Sequence, residues 1–236
     1  MAAKDIAWTR VFFVAFLGIY PVNRTPTLTV LISGRGSNLI ALHERASNYR
    51  IGLVISSNSA AQGLVWAAQA GVPSQVVERG TFPSLAAFKA GVLDAVLRSQ
   101  PDVVALAGFM VVLQPEFSEA FSGRLINIHP SLLPRLPGLD THQRAIASGE
   151  TEHGCTVHFV DSGVDTGPRI AQGVVPVLPG DDAAALAART LAVEHSLYPW
   201  VTASLVRGGV QLAEGRVRYD AQAVREAHER GFRIFV

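Results

Sequence analysis

Thr27-Leu28-Thr29-Val30-Leu31-Ile32-Ser33-Gly34-Arg35-Gly36-Ser37-Asn38 reads as an apolar strand that runs into a glycine turn and then a helix. The short, continuous apolar run has the pattern of a strand buried on both faces. The glycines permit a tight turn, and a helix is expected over Asn38 to Ser47, with Ser37 or Asn38 as its cap. Backbone N–H groups and the helix dipole converge there, a corner suited to one phosphate. Leu39 stands where a dinucleotide fingerprint has its third glycine, and the Lys-Ser/Thr ending of a P-loop is missing, so NAD and ATP are not the expected ligands. Taken alone, the turn is explained equally well as one that only caps a helix.

The same alternation continues downstream. IGLVISS precedes a helix over Gly63 to Ala70; SQVV near Val76 precedes a helix from Ser84 to Arg98; DVVALA follows Pro101, and LINIH starts at Leu125. This rhythm predicts an α/β fold, a mostly parallel open sheet with helices on both faces. Past Gly138 the rhythm changes: GCTVHFV and RIAQGVVPV are extended runs joined by the turn-rich DSGVDTGP, which predicts antiparallel strands toward the C-terminal part. Ala183 to Leu205 is the longest helical pattern, opened by Asp181 and Asp182 and expected to be disturbed near Pro199. VQLAEGRVRYD reads as a closing hairpin. With no repeat, low-complexity tract or long linker, residues 27–236 are expected to form a single domain, with residues 1–26 an N-terminal extension outside it.

Composition narrows the partners. In 236 residues, 49% hydrophobic content supplies a large core, and a net charge of +1 creates no field to hold a polyanion, so a nucleic-acid partner is not expected. Cys155 is the only cysteine, which excludes an intrachain disulfide framework and a cysteine-based zinc cluster and fits a reducing cytoplasm. It is expected to be a small buried hydrophobe. Val11 to Tyr20, after Lys4 and Arg10, has the outline of a signal peptide, but it is too short to span a bilayer and Pro21-Val22-Asn23-Arg24 offers no small-residue cleavage site. Neither export nor a membrane partner is expected; the extension reads as a tail or as residues upstream of the true start.

Asn127-Ile128-His129 ends a predicted strand, and a period of two puts the amide and the imidazole on one face. Ligands of open α/β sheets sit outside the carboxyl ends of strands, and the prolines of Pro130 to Pro134 make the chain leave the sheet there. The two side chains suit acyl transfer to an amine, one managing a proton and the other stabilising an oxyanion. Asp165, in the turn Asp161 to Gly167, is the candidate third group to tune the histidine. Singly, each of these residues is better explained by packing or turn chemistry. His142, His153, His158 and His195 show no ligand spacing, so structural or substrate-shaping roles are expected and no metal.

Taken together, ISGRGSN, LAGFM, INIHPSLLPRLPGLDTH, EHGCTVHFV, DTGP and EHSLYPW resemble the glycinamide ribonucleotide formyltransferases of purine synthesis, over about Thr27 to Leu205. The resemblance implies a Rossmann-like formyltransferase fold, a catalytic Asn127, His129 and Asp165, and a substrate-phosphate loop of Gly36, Ser37 and Asn38. It further implies that Glu194 holds the substrate. The pocket for the co-substrate, 10-formyltetrahydrofolate, would be lined by Met110, Val111, Val112 and Leu113 and by Asp161, Ser162, Gly163, Val164 and Asp165, with Asn127. Leu85 and Val111 replace arginines that some relatives carry near the folate tail, and Lys89 lies one turn beyond Leu85.

The implied reaction is direct attack of the substrate amine on the formyl carbon through a tetrahedral intermediate, with Asn127 and protonated His129 stabilising the oxyanion and Asp165 favouring the imidazolium. Methionyl-tRNA formyltransferase and formyltetrahydrofolate hydrolase resemble the chain at the same three residues. Their expected layouts differ: a further carboxy-terminal domain in the first, where only Val206 to Val236 remain here, and a domain before the first strand in the second. A nucleotide-binding scaffold is the non-enzymatic alternative. Oligomeric state, monomer or homodimer, is left open.

Overall fold

The computed structural model describes residues 24–236. The apolar run Val11 to Tyr20, and the questions of export and of the true start, lie outside the described residues. Arg24 already docks on the fold through Asp102, and the Pro26 carbonyl accepts the Arg50 N–H. Ten strands are present among the described residues, eight of them in one sheet of order β10-β7-β6-β5-β4-β1-β2-β3. β1 (Thr27–Ile32), β2 (Arg50–Ser56), β3 (Ser74–Val76), β4 (Val103–Leu106) and β5 (Leu125–His129) run parallel. β6 (Glu152–Phe159), β7 (Arg169–Pro176) and β10 (Arg233–Ile234) then add antiparallel, as the turn-rich connection past Gly138 predicted.

The strand order reverses between β1 and β4: β1 to β3 build one way and β4 to β5 the other. The crevice at the carboxyl ends of β1 and β4 is therefore the switch point where open α/β sheets bind ligands. Alternation along β1 explains why it needs cover on both sides. Leu28, Val30 and Ile32 join a core with Leu39 and Leu42 of α1 (Ser37–Glu44) and Leu197, Tyr198 and Val201 of α6 (Ala183–Val206). Leu31 joins a second core with Phe88, Val92 and Val96 of α3 (Leu85–Ser99) and Phe117 and Phe121 at α4 (Pro115–Ala120). Fully burying one such side chain contributes roughly 1.5–3 kcal/mol.

α2 (Gln62–Gln69) and α3 form where helices were expected, and Ser84 caps α3 by accepting the Ala87 N–H at 3.0 Å. α1 ends at Glu44, three residues short of the expected Ser47. Its cap is Gly36, at φ 79°, with no side-chain cap bond, so neither Ser37 nor Asn38 caps the helix. α6 is opened by Asp182, whose carboxylate accepts the Ala185 N–H at 2.7 Å. It continues unbroken across Pro199 to Val206, against the expected disturbance. A central proline costs about 3 kcal/mol of helix stability, but Leu197 to Thr202 are all buried, and that packing holds the helix together. The closing hairpin is present, β8 (Val210–Ala213) to β9 (Arg216–Tyr219), turning through Glu214 and Gly215 at φ 53° and 74°. Three short helices were not legible beforehand: α4, α5 (Thr141–Ala147) and α7 (Ala221–Glu229).

Candidate active site

Asn127 and His129 do share a face of β5, and the antiparallel register sets their neighbours. Asn127 lies opposite His158 and His129 opposite Thr156, which in turn lies opposite Gln172 of β7. Directly opposed residues in such a ladder point to the same side of the sheet. His158 Nδ1–H donates to the Phe159 carbonyl at 2.8 Å, and its Nε2 lies 3.2 Å from Asn127 Nδ2. With one Asn127 N–H toward that ring, the other remains to meet a ligand oxygen.

Asp165 reaches this row from the loop between β6 and β7. Asp161 shapes the loop by accepting from the Gly163 N–H at 3.0 Å and the Thr166 hydroxyl at 2.7 Å. Gly167 lies so close to the Phe159 carbonyl that a Cβ there would sit 1.9 Å from its oxygen. Asp165 itself is held at φ 56°, a left-handed conformation that costs an L-residue about 1–2 kcal/mol. That strain is maintained at the one carboxylate that meets both histidines: Oδ2 is 3.3 Å from His129 Nδ1 and Oδ1 is 3.7 Å from His158 Nε2. The Gly138 N–H donates to Oδ2 at 3.0 Å.

Protonation follows from these contacts. Burial pushes the Asp165 carboxyl up, but His158, the Gly138 amide and His129 together outweigh it and hold it below the ordinary carboxylate range. His129, 5% exposed, is pulled below the usual histidine value chiefly by burial, with the Leu136 carbonyl and Asp165 opposing and His158 and Arg144 assisting. A pKa below the usual histidine value favours the neutral ring at pH 7. Its Nε2–H donates to the Leu136 carbonyl at 3.0 Å. A neutral imidazole has one N–H for two acceptors, so the site has a place for one further proton on Nδ1, against the carboxylate.

The remaining expected residues divide. The glycine turn abuts this site across β4, because the Ser33 N–H donates to the Gly108 carbonyl and the Ser33 hydroxyl accepts the Met110 N–H at 2.9 Å. Gly36 packs so tightly that a Cβ there would lie 2.8 Å from Gly63 Cα. Asn38 does not aim its amide at the turn; Nδ2 donates to Glu194 Oε2 at 2.6 Å, tying α1 to α6. Glu194 is buried, which raises its pKa, while Asn38 and Arg35 oppose the rise. Met110 and Val112 are exposed, whereas Val111 and Leu113 pack into the core around Phe88, so this segment offers two side chains and its backbone. Leu139, on the loop after β5, and Val164, on the loop between β6 and β7, are exposed as well. Leu85 is exposed at the first turn of α3.

Sequence reasoning missed two contributors. His158 is read from sequence only as structural or substrate-shaping, whereas its alternation on β6 with Thr156 and its pairing with Asn127 make it part of the row. Arg35 stands at the turn close enough to lower the Glu194 pKa, and its charge was not singled out. His142 and His153 lie behind His129 with ring centroids 5.0 Å apart, and burial, aided by His142, takes His153 down to about 4. Burial likewise lowers the His142 pKa, with His129 assisting.

The formyl transferase family model matches residues 27–202. Phosphoribosylglycinamide formyltransferase of Escherichia coli is 41% identical over 199 residues, which cover 83% of this chain and 94% of that protein. The trifunctional purine biosynthetic protein adenosine-3 of Drosophila pseudoobscura is 44% identical, but the match spans only 14% of its length. Among solved structures, phosphoribosylglycinamide formyltransferase from Coxiella burnetii superposes with a TM-score of 0.80 at 39% identity, covering 84% of this chain and 94% of that one. The chain belongs to the formyl transferase family, among the phosphoribosylglycinamide formyltransferases.

Proposed function

We propose that this chain transfers the formyl group of 10-formyltetrahydrofolate to the amine of 5-phosphoribosylglycinamide in purine biosynthesis. The observation that carries the reading is the row Asn127–His158 beside His129–Asp165, set at the strand ends next to a phosphate-type turn. The backbone N–H groups that open α1 at Gly36 and Ser37, with the charge of Arg35, suit the nucleotide phosphate. Glu194 suits a hydroxyl or ammonium group of the same substrate, and its buried carboxylate gains most from such a partner. The exposed side chains of Met110, Val112, Leu139 and Val164 fit a flat, largely apolar co-substrate, which supplies the formyl carbon.

Attack of the amine nitrogen forms a C–N bond and pushes negative charge onto the formyl oxygen, where the free Asn127 N–H donates. The amine's proton goes to His129 Nδ1, and the resulting imidazolium is held between Asp165 and the Leu136 carbonyl. Collapse breaks the bond to the donor nitrogen, which takes that proton back from His129, so no charge or covalent adduct is left on the protein. For His129 to assist the oxyanion as well, its Nε2–H has to exchange the Leu136 carbonyl for the substrate. A panel of acceptors tests the reading: formylation of the nucleotide supports it. Formylation of methionyl-tRNA, hydrolysis with water alone, or binding without turnover would each replace it.

A further inference from the structure

The carbonyl and the amide that meet His129 and Asp165 both come from a segment without regular structure, Pro130 to Asp140. Such a segment does not fix two backbone groups to within hydrogen-bond tolerance unless something fixes the segment. Arg144 Nη1 donates to the Pro137 and Leu139 carbonyls and the Ser131 hydroxyl to the Arg135 carbonyl, and the stretch that leads to them is held by two side chains on the catalytic face of the sheet. The Thr156 hydroxyl donates to the Ser131 carbonyl at 2.7 Å and accepts from the Leu133 N–H at 3.0 Å and from Gln172 Nε2 at 3.0 Å. Gln172 Nε2 also donates to the Leu133 carbonyl at 2.7 Å, whose second lone pair takes Arg169 Nη1 at 2.9 Å. The Thr156 hydroxyl, the Gln172 amide N–H groups and the Leu133 carbonyl are all saturated, and Thr156 and Gln172 are 0% and 3% exposed.

We propose that Thr156 and Gln172 are positioning residues that clamp Leu133, and so hold the Leu136 carbonyl and the Gly138 amide where His129 and Asp165 meet them. They lie in one cross-strand row with His129 and touch no face open to substrate. Releasing Leu133 loosens the stretch that carries the acceptor of the His129 Nε2–H and the Gly138 donor, one of the groups that lower the Asp165 pKa. The ring is then governed by its other neighbours: His158 and His153 from β6, His142 and Arg144 from α5, and Asp165 itself.

The effect on turnover rests on the formyl-transfer reading; the effect on the His129 ring does not. The test uses the full chain with nitrogen-15 labelled histidine, free of ligand, as wild type, Gln172→Leu, Thr156→Val and Thr156→Ser. Gln172→Leu and Thr156→Val are expected to shift the His129 ring-nitrogen signals away from the Nε2–H form. They should also lower kcat by about tenfold or more and displace the acid limb of its pH profile, with the KM for the nucleotide unchanged. Thr156→Ser, which keeps the hydroxyl, is expected to restore all of these. Ring signals and acid limb that stay as in wild type, in folded variants, would overturn the proposal. Shifted ring signals in a chain that formylates no nucleotide would uphold the clamp and discard the assigned reaction. Should Gln172→Leu not fold, Gln172→Asn, which withdraws the amide by one methylene, is read against the same two outcomes.

Discussion

Asp165→Asn isolates the charge that the reaction asks the site to supply. The carboxylate oxygen lies 3.3 Å from His129 Nδ1 and is the only anionic oxygen assigned to that nitrogen among the described residues. Two unit charges at this separation attract by about 5 kcal/mol at an effective dielectric near 20. The amide of the variant keeps an oxygen for the Gly138 N–H and returns about 1–2 kcal/mol of hydrogen bonding to the imidazolium. The difference, about 3 kcal/mol, falls on the step in which His129 holds the amine's proton, so kcat is expected to drop roughly 100-fold. The pH profile changes in a definite sense. Burial already sets the His129 pKa below its ordinary value, and Asp165 is one of the two groups that raise it. Without the carboxylate the pKa falls further, so the acid limb of kcat, where His129 becomes protonated at rest, moves to lower pH. Formyl transfer to the nucleotide, followed spectrophotometrically from about pH 5 to about pH 9, covers the range of histidine titration. A kcat close to wild type, or an acid limb that moves up, would refute the reasoning.

Three further outcomes follow from the same geometry. Asn127→Ala removes the one side-chain N–H left free for the oxyanion and is expected to lower kcat by about 10²- to 10³-fold with little change in the nucleotide KM, measured by steady-state kinetics. Gly36→Ala adds a Cβ 2.8 Å from Gly63 Cα at a residue held at φ 79°, so it is expected to raise the nucleotide KM far more than it lowers kcat. Glu194→Gln removes a buried carboxylate whose pKa is raised in the fold, so its ionisation opposes folding once the pH exceeds the unfolded value. Thermal melts should therefore show the variant stabilised, by about 1 kcal/mol, at neutral and alkaline pH but not in acid, where both chains are neutral at this position. Equal melting differences at both ends would count against it, and the variant should bind the nucleotide less well.

Much of the fold was legible because its signals are local. Continuous apolar runs such as Thr27 to Ile32 announce strands covered on both faces, Ser84 and Asp182 announce helix starts, and Glu214-Gly215 sits between two alternating runs. α5 escaped notice because it is seven residues long and follows Asp140 at φ 55°, with no side-chain cap to mark it. Pro199 misled for the opposite reason: its local cost is real, but the burial that offsets it is contributed by distant strands.

By itself the sequence determined the alternating α/β plan, the glycine turn at the first helix, and the placing of Asn127 and His129 on one face of a strand end, since a strand's period of two needs no tertiary information. It could not decide what stands opposite them. The register of β5 on β6 brought His158 to Asn127 and Thr156 to His129, and the strained turn brought Asp165 to both histidines across a loop. Only the tertiary structure brought the Asn38 side chain of α1 to Glu194 of α6. Only burial, a property of the whole packed molecule, pulled the His129 pKa below its ordinary value against the Leu136 carbonyl and Asp165.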